Sequence, residues 1–310
     1  MPGWLIFLRP RQWPILTCQL AVGVLAAPAA VAGLRAGRPP DAAVLAAAWV
    51  AWVVALNGGT LAFNSAYDRD TDSVAYLRRP PPPPPGLARR AALLMAGGAL
   101  LGAAVAPGFA IVTAVCLLLS LLYSHPAVRL KGVAGADLAV NMLGYGAGTT
   151  LAGHFAGQAA WGAPVAPPDG AAWRLAAGFG LLFGSFYPLT QIYQIDPDRR
   201  RGDRTLAVRL GPRRALVLAL ALGAAALPGF LGAAARWPDA GADGRPAPWL
   251  ALGLGLWLLH LAVWLARGER LSARQQEAGM YRALALWALV DAAVLAQRFL
   301  GDGGGAARWR

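Results

Sequence analysis

The chain has 310 residues, of which 57% are hydrophobic and only 14% charged, and its net charge is +13. A soluble domain carries about 25% charged residues, so the deficit makes lipid the solvent and excludes an ordinary water-soluble fold. The positive excess does not mark a nucleic-acid binder, because the arginines sit between apolar stretches rather than on one polar face.

Nine segments approach the ~20 apolar residues that cross a hydrocarbon core. In chain order they are Ile15–Leu34, Ala42–Ala66, Ala91–Ala106, Phe109–Tyr123, Ala136–Gly157, Trp173–Tyr193, Ala215–Ala235, Leu250–Ala266 and Met280–Leu300. The first follows Arg9 and Arg11 without a small-residue cleavage site, which reads as a retained span rather than a signal peptide. The third and fourth are short and parted by Pro107-Gly108, as in a tilted hairpin. Glycine and alanine dominate several spans and allow close helix approach. The expected fold is all-α, a polytopic membrane bundle of about nine transmembrane helices around a central cavity, in one domain over 1–310. Cys18 and Cys116 both lie in apolar stretches and form neither a disulfide framework nor a metal site.

Arginine placement predicts the orientation. The loops at about 64–90 and 194–214 are the richest, and the alternate loops carry few basic residues. The bias places the N-terminus and these two loops on the cytoplasmic side of a bacterial-type cytoplasmic membrane. Pro80–Pro85 reads as a stiff polyproline linker. Trp4, Trp13, Trp173 and Trp249 fall near span ends, as an interfacial aromatic belt does. His154 and His260 lie within apolar spans and read as hydrogen-bonded structural residues, while His125 borders a loop where a base is conceivable. Asp137, Asn141 and Asp291 face some interior, where they either order a bound molecule or join neighbouring helices.

Two acid-bearing span ends carry the chemistry. The second span runs into Asn64-Ser-Ala-Tyr-Asp68-Arg-Asp70-Thr-Asp72. Asn64, Asp68 and Asp72 are four apart and share one face of a continuing helix. Oxygen ligands clustered at a membrane boundary suit a hard cation such as Mg²⁺; the alternative is acids that pair with neighbouring arginines. The sixth span runs into Gln194-Ile-Asp196-Pro-Asp198-Arg-Arg-Arg-Gly202-Asp203-Arg204-Thr205. Two such loops on one side resemble a clamp around a group with several negative charges. A diphosphate fits, because interleaved arginines such as Arg69, Arg79 and Arg204 offer forked donors to its oxygens.

Here the chain resembles the UbiA family of intramembrane prenyltransferases. The first motif matches its N-x-x-x-D-x-x-x-D signature, and the second its acidic loop with the following G-x-x-T-L-A-V-x-L-G stretch. Arg79-Pro80 matches an Arg-Pro downstream of the first motif. The resemblance implies that Asn64, Asp68, Asp72 and Asp198 hold Mg²⁺ on the diphosphate of a polyprenyl donor. The family's second motif often reads D-x-x-x-D, whereas the first of those positions is Gln194 here. Either Asp196 substitutes or Gln194 ligates through its amide oxygen. The stretch Tyr123-Ser-His-Pro-Ala-Val-Arg129-Leu-Lys131 is similar to one in members acting on chlorophyll precursors and carotenoids. Lys131 is the only lysine beside 27 arginines. Arg129 and Lys131 are expected on the diphosphate, and Tyr123 near the reacting carbon.

The implied activity is Mg²⁺-dependent transfer of a polyprenyl group to a lipophilic acceptor of quinone-precursor, tetrapyrrole or carotenoid type. Membrane lipid is the surrounding partner and nucleic acid is not expected. A terpene cyclase of the same superfamily would keep the metal motifs and need no acceptor. A transporter is a third alternative, but transport sites lie near the midplane, and these acids cluster at one face.

Overall fold

The computed structural model describes residues 3–68, 77, 80–164, 166–237, 248–267 and 271–300. Asp70, Asp72, Arg69 and Arg79 lie outside them. Among the described residues the ordered elements are helices. After a 3₁₀ entry at Gly3–Leu8 come α1 (Trp13–Ala26), α2 (Pro28–Arg35), α3 (Ala42–Asp68), α4 (Leu87–Val105) and α5 (Pro107–Ser124). Then follow α6 (136–160), α7 (Gly170–Ile192), α8 (Ile195–Arg201), α9 (Leu206–Ala234), α10 (Pro248–Arg267) and α11 (Ala273–Leu300).

Proline chemistry sets several of the breaks. Ala27 is extended (φ −61°, ψ 137°) ahead of Pro28, as a residue before proline prefers, and the chain bends there by 73°. The single span expected at Ile15–Leu34 is therefore a broken one. Ala106 is likewise extended before Pro107, so the expected hairpin is two full helices joined by one residue. Pro107 occupies the first helical position, where its missing N–H costs nothing. At Gly211 the backbone takes φ 75°, ψ 167°, a region open essentially to glycine alone, and α9 kinks before Pro212. Asp41 and Asp169 cap α3 and α7, with Asp41 Oδ1 accepting from Ala43 N (2.8 Å) and Asp169 Oδ1 from Ala172 N (2.7 Å).

Among the described residues seven helices are long and apolar enough to cross a membrane, or eight when the bent pair 3–35 counts as one span. The remaining expected span is helical over 136–160 but carries Asp137, Asn141, His154 and Gln158, which lower its apolarity. Leu100, Ile111 and Leu93 present 77%, 64% and 62% of their surface outward. Such faces are tolerable only against lipid. The protein is an integral membrane helix bundle.

Two apolar clusters organise the interior around the cavity, and a third joins the 3₁₀ entry, α3 and α4 around Phe7, Phe63 and Met95. Of the two, one joins α7, α9, α10 and α11 around Phe179, Phe230, Trp257 and Trp287; the other joins α1, α3, α5 and α6 around Leu20, Trp52, Phe109 and Ala152. Both α3 and α6 contain a π-helical stretch, Val50–Gly58 and Met142–Gly148. A π-turn shifts the register of side chains beyond it and is frequent at functional sites. The two stretches flank the cavity between the clusters.

Candidate active site

A cavity of about 260 Å³ lies between the two halves of the bundle. Its polar end is built from four chain segments. The end of α3 supplies Asn64 and Asp68, and the loop after α5 supplies Lys131. The turn into α8 supplies Gln194 and Asp198, and the turn after α8 supplies Asp203 and Thr205. Asn64 and Asp68 reach one wall because residues four apart share a helical face. Asp198 is 4% exposed and sits one turn into α8, where its Oδ2 accepts from Thr205 Oγ1 (3.2 Å). Gly202 at φ 76° turns the chain back, and Asp203 N donates to the Asp198 carbonyl (3.0 Å). Both acid-bearing span ends thus open on one hollow.

Cations tie the two clusters together. Lys131, 9% exposed, places its ammonium against Asp68 Oδ1. Arg129 donates to Asp203 Oδ1 (2.8 Å) and stands 3.8 Å from Asp68 Oδ1, bridging acids of different span ends. It does so from a left-handed backbone (φ 47°, ψ 53°), a strained setting for a residue other than glycine. Gln194 donates through Nε2 to the Tyr193 hydroxyl (3.1 Å), and burial pushes the Tyr193 phenol up.

Beneath the acids the wall turns aromatic. Tyr123, Tyr145, Tyr187, Phe183, Phe186 and Trp287 line it. Tyr145 stacks on Phe183 with centroids 5.2 Å apart and planes at 15°, while Phe183 and Phe186 each meet Trp287 edge-on. The Tyr123 and Tyr187 hydroxyls are hydrogen-bonded at 2.8 Å. Gln191 Nε2 donates to Tyr187 Oη (2.9 Å) and to Asp137 Oδ2 (3.0 Å). Asp137, fully buried, also accepts from the Gly135 and Leu138 N–H groups at Oδ1 and from Leu206 N–H at Oδ2. It therefore joins the starts of α6 and α9 to the end of α7. Of the two readings open for Asp137, the one joining neighbouring helices holds.

The residues expected from the sequence divide into three groups. Asn64, Asp68, Tyr123, Lys131, Gln194 and Asp198 line the cavity, and Arg129 bonds to two of its acids. Asp196 and Arg204 do not line it: Asp196 is 81% exposed beside Arg199, and Arg204 is exposed. Helical geometry turns Asp196 outward when Asp198, two residues on, points in. Asp72, Arg69 and Arg79 fall outside the described residues. Asp203, Arg9, Tyr187 and Gln191 line the cavity without having been singled out. Asp203 was visible as a third acid in the same loop, whereas Arg9 had the appearance of a topology signal. His125 is exposed, and His260 bonds the Gly279 carbonyl (3.2 Å) as a structural residue. His154 departs from that expectation, since its Nε2 has no hydrogen-bond partner.

Among the described residues no cluster of three His, Cys, Asp or Glu side chains stands ready to hold a metal. The donor set at the polar end is nonetheless rich in oxygen, with the carboxylates of Asp68, Asp198 and Asp203 and the amides of Asn64 and Gln194. That is the chemistry of a hard cation bound through one or two carboxylates and completed by water and phosphate oxygens.

The sequence matches the profile of the UbiA prenyltransferase family over residues 21–289. The chain belongs to this family. It is a membrane prenyltransferase, and its fold is that of solved UbiA homologues. It is similar to one from Archaeoglobus fulgidus bound to DMAPP and Mg²⁺, with 18% identity and a TM-score of 0.64 over 95% of this chain and 99% of that one. It is also similar to a homologue from Aeropyrum pernix K1, at 21% identity and a TM-score of 0.59 over 91% and 98%. A digeranylgeranylglyceryl phosphate synthase structure shares 14% identity with a TM-score of 0.61 over 96% and 97%. No curated protein sequence matches the chain.

Proposed function

We propose that this UbiA-family protein transfers a polyprenyl group from its diphosphate to a lipophilic acceptor of quinone-precursor, tetrapyrrole or carotenoid type, using Mg²⁺. The whole chain acts as one unit, in a bacterial-type cytoplasmic membrane with the acid end facing the cytoplasm. One observation carries the reading: two acid-bearing span ends and two cations meet at the mouth of a cavity whose deeper wall is aromatic. An amphipathic molecule with a polyanionic head and an apolar tail matches that division. The Archaeoglobus fulgidus homologue has been seen with both DMAPP and GPP together with Mg²⁺.

Asn64, Asp68, Gln194 and Asp198 are the residues that would hold Mg²⁺, joined by Asp72. Bound there, the ion neutralises charge developing on the leaving diphosphate. The remaining work belongs to side chains. Lys131 and Arg129 bind diphosphate oxygens through charge-assisted hydrogen bonds, from where they stand beside Asp68 and Asp203. Of the two candidates for the second cluster, Gln194 is favoured because it lines the cavity and Asp196 does not. The allylic carbon gains positive charge as the diphosphate leaves, and Tyr123, Tyr187 and Phe183 offer π faces that stabilise a cation. The apolar wall keeps water from trapping that cation before the acceptor does.

The test is diphosphate release from geranylgeranyl diphosphate by purified enzyme with MgCl₂. Asp68→Ala and Asp198→Ala each lower turnover by ~100-fold or more while keeping the wild-type elution profile, and EDTA abolishes release until Mg²⁺ is restored. Retained turnover in both variants refutes the clamp. Running the assay with and without aromatic acceptors separates transfer from cyclisation by the product formed.

A further inference from the structure

The cavity has a second wall, which the diphosphate clamp does not use. It belongs to α1, α3 and α5, on the side of the cluster around Leu20 and Trp52, across from the aromatic side chains of α7 and α11. Gln19, Asn57, Thr60 and Ser120 line it. On α3, Asn57 lies two helical turns before Asn64, about 10 Å further from the acid end.

Most donors on this wall are already committed. Gln19, 2% exposed, donates through Nε2 to the Gly146 carbonyl (2.8 Å) and to Thr150 Oγ1 (3.4 Å). Asn57, 6% exposed, donates through Nδ2 to the Trp52 carbonyl (2.8 Å) within its own π-helical stretch. A carbonyl accepts only from the amide nitrogen, so both side chains are fixed in one orientation. Thr60 Oγ1 donates to the Leu56 carbonyl and Ser120 Oγ to the Cys116 carbonyl, and the two hydroxyls also meet at 2.8 Å, which takes up both their protons. Among the described residues Gln19 Oε1 and Asn57 Oδ1 accept no hydrogen bond. Unlike the unbonded oxygens of Asp291, neither is sealed in, so both open on the cavity that their residues line. Against these acceptors the wall keeps one N–H, the second of Asn57. A hydrocarbon tail laid over bare amide oxygens would take them from water and return no donor. The prenyl tail therefore belongs on the aromatic wall, and a molecule lying on the amide wall must bring its own donor.

We propose that the amide wall recognises the prenyl acceptor through its hydroxyl groups, with Gln19 Oε1 and Asn57 Oδ1 accepting from them. The assignment rests on the prenyl-transfer reading and narrows its acceptor to a hydroxyl-bearing lipophile of phenol or quinol kind. Of the three acceptor types, a quinone precursor carries such hydroxyls at its rim. The N–H groups of a tetrapyrrole turn into its centre, and a carotenoid hydrocarbon has no donor.

The experiment titrates full-length protein in detergent with 1-naphthol and, separately, with 1-methoxynaphthalene, which keeps the ring and the oxygen but lacks the donor. The wild-type protein binds 1-naphthol ~10-fold or more tightly than the ether, as a site built to bond a hydroxyl should. The near-isosteric variants Gln19→Met and Asn57→Leu each remove one amide oxygen, and in at least one of them the preference falls ~5-fold or more. A wild type without preference, or a preference kept in every variant that folds, overturns the proposal. Photolabelling of the wild-type protein with 4-azido-1-naphthol decides the matter should neither variant fold. Label on the peptides of α1, α3 or α5 around Gln19, Asn57 and Ser120 supports the site, and label confined to other peptides overturns it. Neither measurement involves a diphosphate, so both succeed or fail independently of the clamp, which Asp68→Ala tests by diphosphate release.

Discussion

Lys131 is buried with its ammonium against Asp68, in a chain that otherwise uses arginine at every basic position. A compact point charge fits between carboxylates more closely than a planar fork. Lys131→Ala is expected to raise the half-saturating prenyl diphosphate concentration ~10-fold or more, consistent with one lost charge-assisted contact, and Lys131→Arg restores it only in part. Initial rates against donor concentration check this; an unchanged value would remove Lys131 from the donor site. Asp137 behaves differently. Its carboxylate accepts from three backbone N–H groups and from Gln191, so Asp137→Ala orphans several buried donors at once. The expected loss is about 3 kcal/mol or more of stability, read as a lowered thermal midpoint in detergent, with activity falling alongside. Asp68→Ala, by contrast, loses activity at an unchanged midpoint. Asp68 was legible because an acid at the end of an apolar span is costly unless used. The Asp137 network was not, since Gln191 and Leu206 are 54 and 69 residues away in sequence.

At the scale of elements, α1 and α6 pack backbone to backbone. A Cβ on Gly153 would meet the Leu20 carbonyl oxygen and stand 2.8 Å from the Gly23 Cα, and one on Gly157 would meet the Val24 carbonyl oxygen. Small residues draw membrane helices together because lipid tails supply no hydrophobic drive between them. Gly153→Leu is expected to cost about 1–3 kcal/mol or more through overpacking, seen as a lower thermal midpoint. A midpoint equal to wild type would mean that α1 can move aside freely. The glycine-rich spans announced close packing, but which helices would touch was beyond sequence reading. Elements also explain the break at Ala27: an apolar run from Ile15 to Leu34 looks continuous, and one proline divides it with a 73° bend.

Across the whole molecule, the acids of the cavity stand at one end of it, so sidedness is a property of the bundle. If the acid end is cytoplasmic, a cysteine introduced at exposed Arg204 in a protein lacking Cys18 and Cys116 is protected from membrane-impermeant maleimide in intact cells. One introduced at exposed Trp173 is labelled. The reverse pattern would invert the orientation. Hydropathy alone determined that the chain lives in lipid, and roughly where its helices run, because crossing a hydrocarbon core demands a minimum apolar length. The residue types at two span ends pointed to the class of chemistry, because carboxylates at a membrane boundary are costly unless a cation or other partner offsets their charge. Only the tertiary structure decided that Asp68 and Asp198 share a hollow, that Asp196 faces away, and that Arg129 reaches an acid 74 residues ahead. Periodicity fixes which residues share a helical face, but distances between helices follow from packing, which no single segment encodes.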